Sequence, residues 1–138
     1  MLVFGRVTYE GMAAYWTTAQ GAIADYMNKL PKLVCSRTLQ MATWNNTTMV
    51  KDNVAVEIAR LKQQGSGNML VFGSANLSRT LMNERLFDEY RIGIAPVIHG
   101  RGRLLFSDGH NPQSLQLLEA RALSTGCVIL RYLADRGA

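Results

Sequence analysis

The sequence predicts an α/β domain built on a mixed, mostly parallel sheet flanked by helices, with an antiparallel hairpin at its C-terminal end. Three observations carry that expectation. Apolar runs of strand length alternate with helix-period patterns, two of those runs end in glycine beside hydroxyl residues, and the last stretch reads as two strands joined by a turn.

Leu2-Val3-Phe4 is a short apolar run leading into Gly5, as at the end of a buried strand. From Thr8 the pattern becomes helical, with Tyr9, Met12, Ala13 and Trp16 on one face. Pro31 precedes a second buried strand, Lys32 to Ser36, and the β-branched Thr47 to Val50 is a third. Asp52 or Asn53 caps the next helix, in which Val54, Ile58 and Leu61 recur at helical spacing until Gly65 stops it. Met69 to Phe72 is apolar throughout and suits the middle of a parallel sheet. Leu77 and Leu81 mark a short helix, and Glu89 to Ile94 alternates like a strand. A loop containing Gly100 and Gly102 leads to Leu104-Leu105-Phe106, and the runs from Leu115 to Leu123 and from Gly126 to Leu133 fit a hairpin turning near Ser124-Thr125.

At 138 residues the chain is one domain's length, and its 48% apolar and 18% charged residues are those of a compact globular protein. Of the 15 basic side chains 11 are arginine, whose planar fork suits phosphate, against 10 acidic ones. The charge is spread evenly, and the absence of a basic cluster argues against nucleic acid as a partner. No apolar run approaches the length of a membrane span and nothing resembles a signal peptide, so no membrane partner is expected and the cytoplasm is the default compartment. Cys35 and Cys127 lie in separate apolar contexts, as buried reduced thiols do, and His99 and His110 lack neighbours at ligand spacing, so no metal is expected.

The chemistry concentrates at the strand ends. A helix starts with amides that have no internal partner and with the positive end of its dipole, so a glycine turn between strand and helix attracts phosphate. Gly5 admits a ligand to the backbone, Arg6 can grip phosphate oxygens, and Thr8 caps the helix or bonds the same phosphate; an ordinary helix start with a solvated arginine is the competing reading. Ser36-Arg37-Thr38, at the end of the second strand, suits the extra phosphate that separates NADPH from NADH, or is simply a polar loop. Gly73-Ser74-Ala75-Asn76-Leu77 repeats the strand–glycine–helix arrangement without forming a Rossmann fingerprint or a P-loop. Asp88-Glu89 reads as an ion-paired edge before it reads as an acid–base pair. Trp16, Met27, Trp44 and Phe106 line an apolar substrate pocket or, for most of them, pack the core.

Taken in order, G-R-x-T-Y-E, Met27-Asn28 with Pro31-Lys32, Ser36 to Leu39 with Trp44-Asn45, Val71 to Ala75, Asp88 to Arg91, Pro96-Val97, and Gly100-x-Gly102 with Leu105-Phe106 resemble the dihydrofolate reductase-like family that includes the reductase domain of bacterial riboflavin biosynthesis. The resemblance runs through nearly the whole chain. It implies an NADPH-dependent oxidoreductase in which Gly5, Arg6 and Thr8 hold cofactor phosphate, Ser36, Arg37 and Thr38 hold the adenosine 2′-phosphate end, and Gly73, Ser74, Ala75, Asn76 and Leu77 wrap the pyrophosphate. Trp16, Met27 and Phe106 would face the substrate, a pterin-like or flavin-precursor-like heterocycle reduced at a C=N or C=O bond. No catalytic residue is assigned.

Family members carry several tens of residues ahead of G-R-x-T, including a strand central to the sheet, where this chain has four. The expectation is therefore a single domain lacking that segment, either as a fragment or with compensation by sheet rearrangement or pairing between subunits, which favours a homodimer. The competing function is a catalytically inactive nucleotide-binding or assembly remnant of the same fold.

Overall fold

A computed structural model describes residues 1–65, 67–106, 108, 109 and 111–135. They form two compact units, Met1–Thr80 and Leu81–Ala138.

The first unit is a parallel sheet with helices between its strands. In chain order it contains β1 (Leu2–Gly5), α1 (Arg6–Trp16), α2 (Ala22–Lys29), β2 (Lys32–Cys35), β3 (Thr47–Val50), α3 (Val54–Gln64) and β4 (Leu70–Val71). The strand order is β3-β2-β1-β4, with Gly5 opposite Cys35, Cys35 opposite Val50, and Val3 opposite Val71. β1 is flanked on both sides, and Leu2, Val3 and Phe4 are all at most 1% exposed, which is why its sequence is apolar without alternation. Phe4 anchors the core: its ring centroid lies 6.4 Å from Tyr9, 5.9 Å from Trp44 and 6.1 Å from Phe72.

Lys32 is the unusual member of this core. It is 1% exposed, and its ammonium donates to the carbonyls of Asn28 (3.1 Å), Leu30 (2.8 Å) and Asn45 (3.2 Å) while lying 4.5 Å from the centre of the Trp44 ring. Three donors meet three acceptors, so the buried cation is fully satisfied although desolvation lowers its pKa. It ties the end of α2 and the loop before β3 to the start of β2.

Three local expectations need correction. The helix Ala22–Lys29 has no counterpart in the sequence reading, because Ala24 alone is buried and the apolar stripe is too short to announce itself. It stops at Leu30, which is extended (ψ 141°) as the residue before Pro31 must be. The cap of α3 is Asn53 in the left-handed region (φ 52°), and it works through its carbonyl, which accepts from the Glu57 amide at 3.0 Å; its side chain makes no capping bond. Finally, β4 does not sit in the middle of its sheet. It covers two residues at the edge, with Leu70 41% and Phe72 37% exposed, so an apolar strand has an open side among the described residues.

α4 (Ala75–Asn83) crosses the boundary between the units in sequence and buries Leu77, Ser78, Leu81 and Met82. The second unit is an antiparallel sheet of β5 (Glu89–Ile94), β6 (Leu115–Ala122) and β7 (Val128–Ala134), in the order β5-β7-β6. The expected hairpin is present: Leu123 and Gly126 close its turn with bonds of 2.8 and 2.9 Å, and Gly126 takes φ 82°. Tyr90, Ala134 and Met82 form a small core with Phe87, Ile92, Leu115 and Tyr132. On the other face Arg131 lies between Glu89 (2.9 Å) and Glu119 (3.2 Å), and Arg91 adds a further bond to Glu89 (2.7 Å). Glu89 is therefore an ion-pair centre, its carboxyl held down to about 2 first by Arg131 and then by Arg91.

Candidate functional site

All four strands of the parallel sheet run the same way, so the turns that follow them come out along one edge. Gly5 and Cys35 are register partners, which places Arg6 beside Ser36 and the residues after it. Continuing the register of Val3 opposite Val71 puts Gly5 level with Gly73. The edge thus gathers Gly5, Arg6 and Thr8 from the first turn, Ser36, Arg37 and Thr38 from the second, and Gly73, Ser74, Ala75 and Asn76 from the fourth.

The first and fourth turns are joined by side chains. The Gly5 amide donates to Ser74 Oγ at 2.8 Å, and Ser74 Oγ is 3.0 Å from Thr8 Oγ1. A methyl group built on Gly5 would stand 2.6 Å from Ser74 Oγ, so any side chain there would force Ser74 to move. Gly73 (φ 55°) and Ser74 (φ 62°) are consecutive left-handed residues, which turn the chain sharply from β4 into α4. Ser78 then locks the turn by donating to the Gly73 carbonyl through Oγ (3.0 Å) and to the Ser74 carbonyl through its amide (2.8 Å). Thr8 does not cap its helix: α1 begins at Arg6 with Gly5 as N-cap, and the Thr8 hydroxyl is spent on Ser74.

Charge follows the same edge. Neither α1 nor α4 has an acidic residue in its first turn, whereas α2 has Asp25 and α3 has Glu57. The two helix starts that meet at Ser74 are thus two without an acidic residue in the first turn. Arg6 is paired with Glu10 (2.9 Å) and Arg37 with Asp52 (3.1 Å), and the Arg37 pair is 80% and 70% exposed. Exposed pairs of this kind contribute about 0.2–1 kcal/mol, so an incoming phosphate can take either guanidinium at little cost. Ser36 Oγ accepts the amides of Thr38 (3.1 Å) and Leu39 (2.9 Å), which shapes the second turn. Next to it, burial pushes the Cys35 thiol up to about 11, which favours its protonated form.

The remaining expected site residues are placed differently. Leu77 is buried, leaving its backbone to face the turn. Trp16 and Met27 are half-buried and pack against the Phe4–Tyr9–Trp44 core, with Trp16 Nε1 donating to Met12 Sδ at 3.3 Å. Phe106 belongs to the second unit, where it is 51% exposed and meets Tyr90 edge-on at 6.5 Å. The sequence reading had Glu10 as the end of the first-turn motif and Asp52 as a candidate helix cap, but not that each pairs with an arginine of this edge. Glu10 had a signal in its four-residue spacing from Arg6, and Asp52 had one in following β3 just as Arg37 follows β2. Among the described residues no three His, Cys, Asp or Glu side chains gather as a metal site would need, and no helix is long and apolar enough to cross a membrane.

A model of the RibD C-terminal domain matches residues 1–129. The chain belongs to the RibD C-terminal domain family. Within reach of that family it is 35% identical over 101 residues to the uncharacterized protein YyaP of Bacillus subtilis (strain 168), a match covering 73% of this chain and 53% of YyaP. The chain spans about half the length of the curated relatives it matches. Solved structures share its fold. A putative riboflavin biosynthesis protein from Shewanella sp. PV-4 superimposes with a TM-score of 0.78 at 21% identity, covering 98% of this chain and 73% of that one. A pyrimidine reductase-like protein from Corynebacterium diphtheriae gives 0.73 at 13% identity, covering 99% and 76%. The fold is therefore the dihydrofolate reductase-like α/β fold expected from the sequence.

Proposed function

We propose that the chain binds NADPH along the strand-end edge of its parallel sheet and serves reduction of a small heterocycle, of the pyrimidine or flavin-precursor class. The observation that carries this reading is the Gly5–Ser74–Thr8 knot, which brings two helix starts without acidic residues to one place. Two such starts, close together, suit a ligand with two linked phosphates. Family membership and the names of the structural relatives, riboflavin biosynthesis and pyrimidine reductase-like, support the reductase class.

When bound, the cofactor would supply the hydride. The chain's own residues would bind and orient it. Gly5 and Gly73 leave the backbone open, the first-turn amides of α1 and α4 meet pyrophosphate oxygens, and Arg6 adds positive charge. Arg37, with Ser36 and Thr38, lies one strand away and suits the 2′-phosphate.

The test is a titration of NADPH and NADH followed by tryptophan fluorescence. NADPH binds more tightly, and Arg37→Ala removes most of the difference. Equal affinities in the wild type would discard the NADPH assignment.

The open side of β4 favours a second element of the reading, assembly as a homodimer. An apolar strand with Leu70 and Phe72 exposed invites pairing with another strand. Sedimentation equilibrium at micromolar concentration gives twice the chain mass if subunits pair, and a monomer at all concentrations rejects it.

A further inference from the structure

We infer that Asp52 is a specificity-determining residue, which restrains the preference for a 2′-phosphorylated dinucleotide by competing with that phosphate for Arg37. The inference rests on the reading of the Arg37 corner given above and names the group that opposes it. β2 and β3 stay paired to their ends: Cys35 is opposite Val50, and the Ser36 amide donates to the Val50 carbonyl at 2.9 Å. Just beyond, Arg37 Nε donates to Asp52 Oδ1 at 3.1 Å, across 15 residues of sequence. Lys51, the exposed residue between Val50 and Asp52, adds a second cation. The corner therefore holds two positive groups and one carboxylate.

Two features separate the Arg37–Asp52 pair from one that serves the fold. Arg6–Glu10 and Arg60–Glu57 form within about one turn of a helix, where spacing alone brings the partners together. Arg37–Asp52 instead links two strand ends whose backbones are already tied, and at 80% and 70% exposure it adds little to stability. Its effect falls on whatever Arg37 binds next.

A 2′-phosphate carries between about 1.5 and 2 negative charges at pH 7. It must take Arg37 from Asp52 and then remain beside that carboxylate. A ribose 2′-hydroxyl has a proton of its own, which it can donate to Asp52 while Arg37 stays in place, the contact that an acidic residue makes with NAD in doubly wound dinucleotide sites. The Asp52 carboxylate thus opposes NADPH and favours NADH.

Asp52→Asn keeps the size of the side chain and removes its charge. In fluorescence titrations at low salt, NADPH binds this variant roughly threefold to tenfold more tightly than wild type, NADH binds it no more tightly, and the NADPH gain shrinks as salt is raised. The ratio of the two affinities is the readout, because a merely structural loosening weakens both ligands alike and leaves the ratio where it was. Adenosine 2′,5′-bisphosphate against AMP repeats the comparison without the nicotinamide half. A wild type that prefers NADPH, together with an unchanged or narrower ratio in Asp52→Asn, overturns the inference and leaves the NADPH reading standing. Equal affinities for the two dinucleotides in both proteins, or binding of neither, rejects both.

Discussion

Replacing Gly5 by alanine tests the joint between the two turns. Gly5 has φ −79° and ψ 165°, which alanine adopts without strain, so the perturbation is steric. The new methyl would lie 2.6 Å from Ser74 Oγ and 3.1 Å from Ser74 Cβ, and ordinary contact begins at 3.4 Å, so Ser74 must retreat by about 0.8 Å. The Ser74 hydroxyl is not a free end. Moving it stretches the bonds to the Gly5 amide and to Thr8, each contributing about 1 kcal/mol. With some overpacking strain the expected loss is about 2–3 kcal/mol. By thermal unfolding that lowers the melting temperature by roughly 5–15 °C for a chain of this size. Ser74→Gly in the same molecule removes the clashing atoms and restores more than half of the loss. An alanine variant that melts with the wild type, or one that Ser74→Gly fails to rescue, refutes the close approach of the two turns.

Two further outcomes follow from the charged groups. Glu89 has a folded-state pKa of about 2 against an ordinary 4.5, so its ion pairs with Arg131 and Arg91 stabilise the fold above pH 4.5, and that contribution disappears as pH falls towards 2. Acid unfolding of Glu89→Gln, followed by circular dichroism, lacks that dependence between pH 4.5 and 2; an unchanged acid limb contradicts the pairing. Lys32→Met keeps the length of the side chain but deprives the carbonyls of Asn28, Leu30 and Asn45 of their donor, and urea unfolding shows a loss of about 2–3 kcal/mol. A variant as stable as the wild type shows that water satisfies those carbonyls instead.

Much of this fold could be read locally, and the exceptions have physical causes. β2, α3, β5 and the hairpin announce themselves through apolar period, glycine punctuation and β-branched residues. α2 does not, because a helix with a single buried residue owes its place to its end contacts, notably Asn28, which accepts from Trp44 Nε1 at 2.7 Å and donates to the Trp16 carbonyl at 2.9 Å. β4 reads as an interior strand because composition reports how apolar a strand is, and pairing on each side is a tertiary matter. At the site, glycine, hydroxyl and arginine at the strand ends were readable one turn at a time. That Gly5 and Thr8 bond Ser74 was not, since the partners are 69 and 66 residues apart in sequence. Trp16 and Met27 illustrate the opposite limit: large apolar side chains next to a site carry the same signal whether they face a ligand or pack the core, and both are half-buried against the core here.

The central claim is that this sheet edge holds the phosphates of a dinucleotide, and amide NMR during an NADPH titration tests it residue by residue. The account predicts saturable shifts of the Gly5 to Thr8 and Gly73 to Leu77 amides at one common dissociation constant, with Ser36 to Thr38 responding to NADPH and much less to NADH. Shifts confined to residues away from these three turns, or none at millimolar NADPH, would contradict it.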